Sequence, residues 1–219
     1  MSTSHTKAVI FDMDGLLLDS EPFWQQAEFD IFSSLGVRLT TAYCLKTVGW
    51  RCYTVVNYWY QQYPWQSESQ ESVVNRITDQ VISLVQQHGK LLPGAREALE
   101  LCQHQQKKTG LATSSAERLM YAMLEHFNIR HYFQTCCSAQ YLPYAKPHPQ
   151  VYLNAAAALE TLPEQCLALE DSITGMTAAK AARMRCYVVP DSHQASNPGY
   201  GLADRKLNSL LELTAGDLQ

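Results

Sequence analysis

Ala8-Val9-Ile10-Phe11-Asp12-Met13-Asp14-Gly15 decides how the rest of the chain is read. Four apolar residues stop abruptly at an aspartate. An unbroken apolar run of this length reads as a strand buried on both faces. Three more runs end in the same way: Gly110-Leu111-Ala112 at Thr113-Ser114-Ser115, Cys166-Leu167-Ala168-Leu169 at Glu170-Asp171, and Cys186-Tyr187-Val188-Val189 at Pro190-Asp191. Helices are expected over residues 94–105, 116–127 and 173–184, and from Pro147 and Pro149, which suit a helix start, to Leu159. Strands alternating with helices imply an α/β fold, a doubly wound parallel sheet with helices on both sides. Ligands of such sheets bind outside the carboxyl ends of the strands, where these polar stops fall.

The first strand breaks the alternation. A single crossover needs far fewer residues than lie between Phe11 and Gly110. The intervening segment has a helical period of its own, clearest at Val74, Ile77, Val81 and Val85, and holds all four tryptophans, Trp24, Trp50, Trp59 and Trp65. It reads as an inserted α-helical cap over residues 18–89, with the catalytic core formed by residues 1–17 and 90–219. The polar stretch from Tyr63 to Ser72 is expected to be a loop between cap helices.

Bulk properties exclude several classes. The 219 residues carry 17 basic and 21 acidic groups, a formal charge of −4, and no basic run suited to nucleic acid. With 46% hydrophobic residues the chain can bury a substantial core. No apolar run approaches the ~20 residues that span a bilayer. Residues 1–7 lack the apolar region of a signal peptide. The seven cysteines, Cys44, Cys52, Cys102, Cys136, Cys137, Cys166 and Cys186, show no metal-binding spacing and read as structural thiols of a reducing compartment. A cytoplasmic monomer with no membrane or nucleic-acid partner is expected.

The polar stops together carry a chemistry. Asp12 and Asp14 straddle the end of a strand and the turn that Gly15 permits. The first can face a substrate as a nucleophile. The second can give a proton to the leaving oxygen and later take one from water. Thr113 and Ser114 offer hydroxyls and backbone N–H groups, and Ser114-Ser115-Ala116-Glu117 matches a capping box, so that a helix N-terminus would also face an anion. Lys146 supplies a cation in the loop after the strand near Thr135 to Ala139. Glu170 and Asp171 supply hard oxygen ligands suited to Mg2+. Phosphoryl transfer needs little beyond such positioning and charge stabilisation.

Four stretches then resemble the motifs of the haloacid dehalogenase superfamily, in order and in spacing: Phe11-Asp12-Met13-Asp14-Gly15-Leu16-Leu17-Leu18-Asp19-Ser20-Glu21, Leu111-Ala112-Thr113-Ser114-Ser115, Lys146-Pro147-His148-Pro149, and Leu169-Glu170-Asp171-Ser172-Ile173-Thr174-Gly175. The insert resembles the cap of the phosphoglucomutase-like branch. Within that branch, residues 142–152 and 180–185 are most similar to bacterial 2-deoxyglucose-6-phosphate or hexitol phosphatases. The resemblance implies a Mg2+-dependent phosphatase for small phosphorylated sugars or sugar alcohols, working through an aspartyl phosphate. It implies Asp12 as nucleophile and Mg2+ ligand, and Asp14 as acid and base, with its backbone carbonyl on the metal. Thr113 and Ser114 would hold the phosphoryl oxygens, and Lys146 would bridge nucleophile and phosphate. Asp171 would be the firmest of the remaining metal ligands, with Glu170 close by. Gly49-Trp50-Arg51 resembles the substrate-contacting cap loop, which makes Arg51 the specificity candidate. Many relatives have glycine where this chain has Arg183.

A sugar-phosphate mutase would share every core residue, but related mutases carry a histidine shortly after the first motif, and Ser20-Glu21-Pro22-Phe23-Trp24-Gln25 has none. A dehalogenase would lack the second carboxylate, since a halide leaves without a proton. A phospho-accepting receiver domain would place its aspartate after a middle strand and carry no cap.

Overall fold

A computed structural model describes residues 5–40, 47 and 49–219. Five strands, β1 (Ala8–Phe11), β2 (Lys108–Thr113), β3 (Thr135–Ser138), β4 (Cys166–Glu170) and β5 (Arg185–Val188), are joined at one edge by a short β6 (Arg205–Lys206) that the apolar pattern does not announce. All neighbours pair in parallel, in the order β3-β2-β1-β4-β5-β6. The chain thus builds one half of the sheet to one side of β1 and the other half to the other side. That reversal places the topological switch beside β1, and Asp12 is the first residue beyond it.

Side chains alternate across each strand, so the two faces of β1 serve two cores. Val9 and Phe11 join Leu111, Leu167 and Leu169 on one face. Ala8 and Ile10 join Ala112, Ala168 and Cys186 on the other. The first face is covered by α4 (Ala95–His104) and α5 (Glu117–His126), the second by α6 (Gln150–Ala158) and α7 (Ile173–Ala181). Ala155, Ala156, Ala178 and Ala179 are buried there, and such small side chains let helix and sheet approach closely.

The insert forms α1 (Glu21–Ser34), α2 (Cys52–Gln62) and α3 (Gln70–His88). Its apolar stripe, Val73, Ile77, Val81 and Val85 on α3 with Ile31 and Phe32 on α1 and Trp59 on α2, is continuous with the first core. Ser69 accepts the Ser72 backbone N–H at 3.1 Å as N-cap of α3. The helix therefore starts inside the stretch expected to be a loop, which ends at residue 69. Arg118 of α5 reaches Asp79 and the Asn75 carbonyl of α3, so the insert is also tied to the core through charge. The insert leaves and re-enters the core at one place: Asp19 N–H donates to Lys90 O at 3.2 Å, Leu92 N–H donates to Leu17 O at 2.9 Å, and Leu18 bridges to Leu91.

Two details correct or explain the sequence reading. The expected capping box at Ser114–Glu117 does not form; α5 begins at Glu117 with Ala116 as N-cap. The Ser115 hydroxyl is taken by Asp14, and the Glu117 N–H donates instead to Gln140 Oε1 at 2.8 Å. Arg183, at the position where many relatives have glycine, has φ +66°, just past the end of α7. Its N–H and that of Met184 close the helix on Lys180 O and Ala179 O, an arrangement that favours glycine. Cys52, Cys102 and Cys166 have their thiols pushed by burial up to about 12, and the cysteines among the described residues are free and structural. Cys44 lies outside the described residues.

Candidate active site

The carboxyl ends of β1, β2 and β4 converge with α1 on a cavity of about 410 Å³. Asp12, Asp14, Thr113, Ser114, Lys146 and Asp171 all line it. Six of the eight expected site residues therefore line one cavity; Glu170 lies directly beneath it, bonded to Lys146, and Arg51 lies elsewhere.

Asp12 is buried, and its Oδ1 accepts from Lys146 Nζ at 2.6 Å. Lys146 is buried as well and donates to Glu170 Oε1 at 2.6 Å and to Ala112 O at 2.9 Å. Its ammonium also lies over the Tyr152 ring, whose hydroxyl donates to the same Glu170 oxygen at 2.6 Å. Burial alone would lower the Lys146 pKa, but the carboxylates of Asp12 and Glu170 reverse this and hold the ammonium charged. Burial pushes the Asp12 carboxyl up to about 7, against the pull of Lys146, and raises that of Asp171 well above the usual range, with the Glu170 charge adding to it.

Glu170 is fully buried and fully committed. Its Oε2 accepts from Ser172 Oγ at 3.1 Å and from the backbone N–H of Asp171 and Ser172 at 3.2 and 3.3 Å. Gly175 has to be a glycine here, since a Cβ would fall about 2 Å from the Glu170 carboxylate. Asp12, Glu170 and Asp171 each bring an oxygen within 4.8 Å of the others. All three could ligate a metal ion; Asp12 and Asp171 open on the cavity, and Glu170 lies behind them, where it also fixes Lys146 and the start of α7. The chemistry of this set fits a hard divalent cation: all donors are oxygens, and three carboxylates face one ammonium, an excess of two negative charges in a buried place. Gly15 makes the approach possible. It has φ +76°, and a Cβ on it would lie 2.2 Å from Asp171 Oδ2.

Asp14 has a different setting. Its Oδ1 accepts from Ser20 Oγ at 2.7 Å and Trp24 Nε1 at 3.2 Å, and its Oδ2 from Ser115 Oγ at 2.7 Å. All three donors are neutral. Ser20, Trp24 and Ser115, with Tyr152 and Ser172, are the residues that the sequence reading missed. The available signal was the spacing of Ser20 and Trp24, four apart where α1 begins, which turns both towards the first motif. Thr113 Oγ1 accepts the Ser115 N–H at 3.0 Å and keeps its own hydrogen to donate. Ser114 Oγ is buried with no partner among the described residues, an orphan donor at the cavity wall that suits an anionic oxygen.

Arg51 does not line the cavity. Its guanidinium donates to the carbonyls of Ala139, Gln140 and Leu142 at 3.1, 3.3 and 2.8 Å, fastening the insert to the loop after β3. Gly49 and Trp50 of the same loop do line the cavity. The three carbonyls all accept from Nη1, and Nε is buried with no partner among the described residues.

Comparison with known proteins agrees with this geometry. Residues 9–189 match the haloacid dehalogenase-like hydrolase family. The chain is 50% identical over 212 residues to hexitol phosphatase B of Escherichia coli (strain K12), covering 96% of both chains. It is 30% identical to a phosphorylated carbohydrates phosphatase of Thermotoga maritima, over 80% of this chain and 81% of that one. Among solved structures, CbbY from Rhodobacter sphaeroides in complex with phosphate superposes with a TM-score of 0.87 at 24% identity, covering 97% of this chain and 99% of that one, a likeness of fold. The chain belongs to the haloacid dehalogenase-like hydrolases. Within that family it is a phosphatase.

Proposed function

We propose that the protein is a Mg2+-dependent phosphatase that hydrolyses small sugar or hexitol phosphates, 2-deoxyglucose 6-phosphate among them, by way of a phosphoryl group carried on Asp12. The observation that carries the reading is the contrast between two carboxylates two residues apart. Asp12 is paired with the Lys146 ammonium, Asp14 is held by neutral donors, and both open on one cavity. The names of the relatives support the sugar and hexitol substrates.

In this reading Asp12 attacks phosphorus and forms an acyl phosphate as the bond to the sugar oxygen breaks. Asp14 gives that oxygen its proton. Asp14 then takes a proton from water, which attacks phosphorus and releases Asp12. Lys146 offsets charge on the nucleophile, and Thr113 and Ser114 donate to the phosphoryl oxygens. Asp12, Asp171 and the Asp14 backbone carbonyl would hold Mg2+, with the Glu170 carboxylate behind them. When bound, the ion neutralises charge on the phosphoryl oxygens. Residues 18–89 act as the cap and the rest as the catalytic core, in a cytoplasmic monomer. Among the described residues no helix is long and apolar enough to cross a membrane.

The mutase alternative is disfavoured by Trp24: an indole N–H donates to Asp14 but cannot exchange a proton with it. The direct test is a screen of phosphorylated metabolites with purified protein and Mg2+. Hexose and hexitol 6-phosphates are expected to lead, with free phosphate as product. Isomerised sugar phosphate in place of free phosphate, or a preference for phosphates with no polyol part, overturns the reading.

A further inference from the structure

The roof of the cavity carries groups that phosphoryl transfer does not use. Helix α1 presents Glu21, Trp24, Gln25 and Glu28 to it, at spacings that bring all four to one side, while Ala27, Ile31 and Phe32 are buried within the insert. Trp24 is engaged with Asp14. Glu21 accepts from Gln25 Nε2 at 3.0 Å, and Glu28 is buried. Burial raises the Glu21 carboxyl above its usual range, and the Asp14 and Asp191 charges add to that, so the roof lies in the field of the carboxylates below. Asp19 and Asp191 bring two more carboxylates to the cavity wall. Among the described residues Lys146 is the sole cation lining the cavity, and it is already shared between Asp12 and Glu170. Arg51, the cation that precedes α2, points at backbone carbonyls instead.

We infer that this face of α1 is a charge filter for the alcohol part of the substrate. Glu21 and Gln25 accept hydrogen bonds from the hydroxyls of an uncharged polyol or sugar, and the Glu21 carboxylate turns away a substrate that carries a second phosphate or a carboxylate. The inference rests on the sugar and hexitol phosphatase reading and deepens it. A second anion about 7 Å from one such carboxylate, at an effective dielectric near 20, is disfavoured about 50-fold. Exposure at the cavity mouth weakens this, so discrimination of about 10-fold or more is expected.

A matched pair of substrates tests it. Glucitol 6-phosphate and 6-phosphogluconate differ only in a terminal CH2OH against a carboxylate. The Mg2+-loaded full-length enzyme should favour glucitol 6-phosphate by at least about 10-fold in kcat/KM. Glu21→Gln keeps shape and removes charge, and it should narrow that ratio by about 3- to 10-fold. The ratio within one preparation cancels any loss of folded protein. Equal rates in the wild type, or a ratio unmoved by the variant, overturns the filter while hydrolysis of glucitol 6-phosphate keeps the hexitol reading. If neither six-carbon substrate reacts, the hexitol reading fails. The filter is then measured on glycerol 3-phosphate against 3-phosphoglycerate, where the same ratios support it and equal rates overturn it.

Discussion

The floor and the roof of the cavity are built on opposite principles. The floor is a buried network of charges: Lys146 joins Asp12 to Glu170, and Lys146 and Glu170 are each held by further partners, Ala112 O for the first and Tyr152 and Ser172 for the second. The roof is contributed mainly by α1, with Gly49 and Trp50 beside it, and meets Asp14 through the neutral Ser20 and Trp24. The floor thus fixes the reacting groups whatever the substrate, and the roof can vary without disturbing them. Asp12, the proposed nucleophile, belongs to the first region, and Asp14, the proposed acid and base, stands at the seam between the two.

The largest expected effect breaks the floor. Asp12→Asn should lower kcat by at least about 1,000-fold in steady-state hydrolysis, since no other side chain can carry the phosphoryl group. EDTA should abolish hydrolysis and Mg2+ restore it, with Ca2+ a poor substitute because it takes a looser, higher coordination. The same variant should stabilise the metal-free fold. The Asp12 carboxyl is held near 7 in the folded protein against an ordinary 3.8. Its raised value adds stability that is full below about pH 4 and is lost as pH rises through 7. In EDTA at pH 8, Asp12→Asn should therefore melt about 2–8 °C above the wild type, and the gap should shrink by pH 4. A lower melting temperature at pH 8 would show that the ion pair with Lys146 outweighs burial.

Breaking the seam should give a smaller, leaving-group-dependent effect. Asp14→Ala should slow phosphorylation of the enzyme by a sugar phosphate about 100- to 10,000-fold in single turnover, and by p-nitrophenyl phosphate far less, because p-nitrophenolate leaves without a proton. Equal losses would remove Asp14 as the acid. Arg51→Ala tests the fastening of roof to floor. It should lower kcat/KM for hexitol phosphates by the equivalent of about 1–3 kcal/mol and speed proteolysis within the insert. A loss of kcat/KM with the insert equally resistant would mean that the guanidinium leaves its carbonyls to serve the substrate, as the family resemblance implies. The smallest effect lies outside both regions. Arg183→Gly should raise the melting temperature by about 2–4 °C, through roughly 1 kcal/mol of relieved left-handed backbone, with kinetics unchanged.

Apart from Lys146, which stands in a loop, the floor was legible in the sequence because its residues end apolar runs, and a strand buried on both faces has nowhere to put a polar side chain except at its end. That rule located Asp12, Thr113 and Asp171 at once. It could not divide the work within Glu170-Asp171, since both are carboxylates. Only the fold shows that the last residue of β4 points inward to Lys146 and Tyr152. The roof followed no such rule. Trp24 reads as one aromatic among many on an amphipathic helix, and its bond to Asp14 depends on where the insert docks. Arg51 stands in a loop that resembles a substrate-contacting one, yet its partners, the carbonyls of residues 139–142, are backbone atoms that leave no trace in side-chain pattern. β6 is two residues long and exposed, too short for any periodicity.

The neck formed by Leu17–Asp19 and Lys90–Leu92 has a consequence for engineering. Because the two chain crossings are hydrogen-bonded side by side, the chain enters and leaves the insert at a single place, and the other ties of the insert to the core are non-covalent. A short turn joining residue 18 to residue 91 would close the core with almost no loop-closure cost, since the ends already touch. By the same route a cap from another member of the family can be spliced in as a cassette, so that substrate choice and phosphoryl chemistry become parts to be exchanged separately.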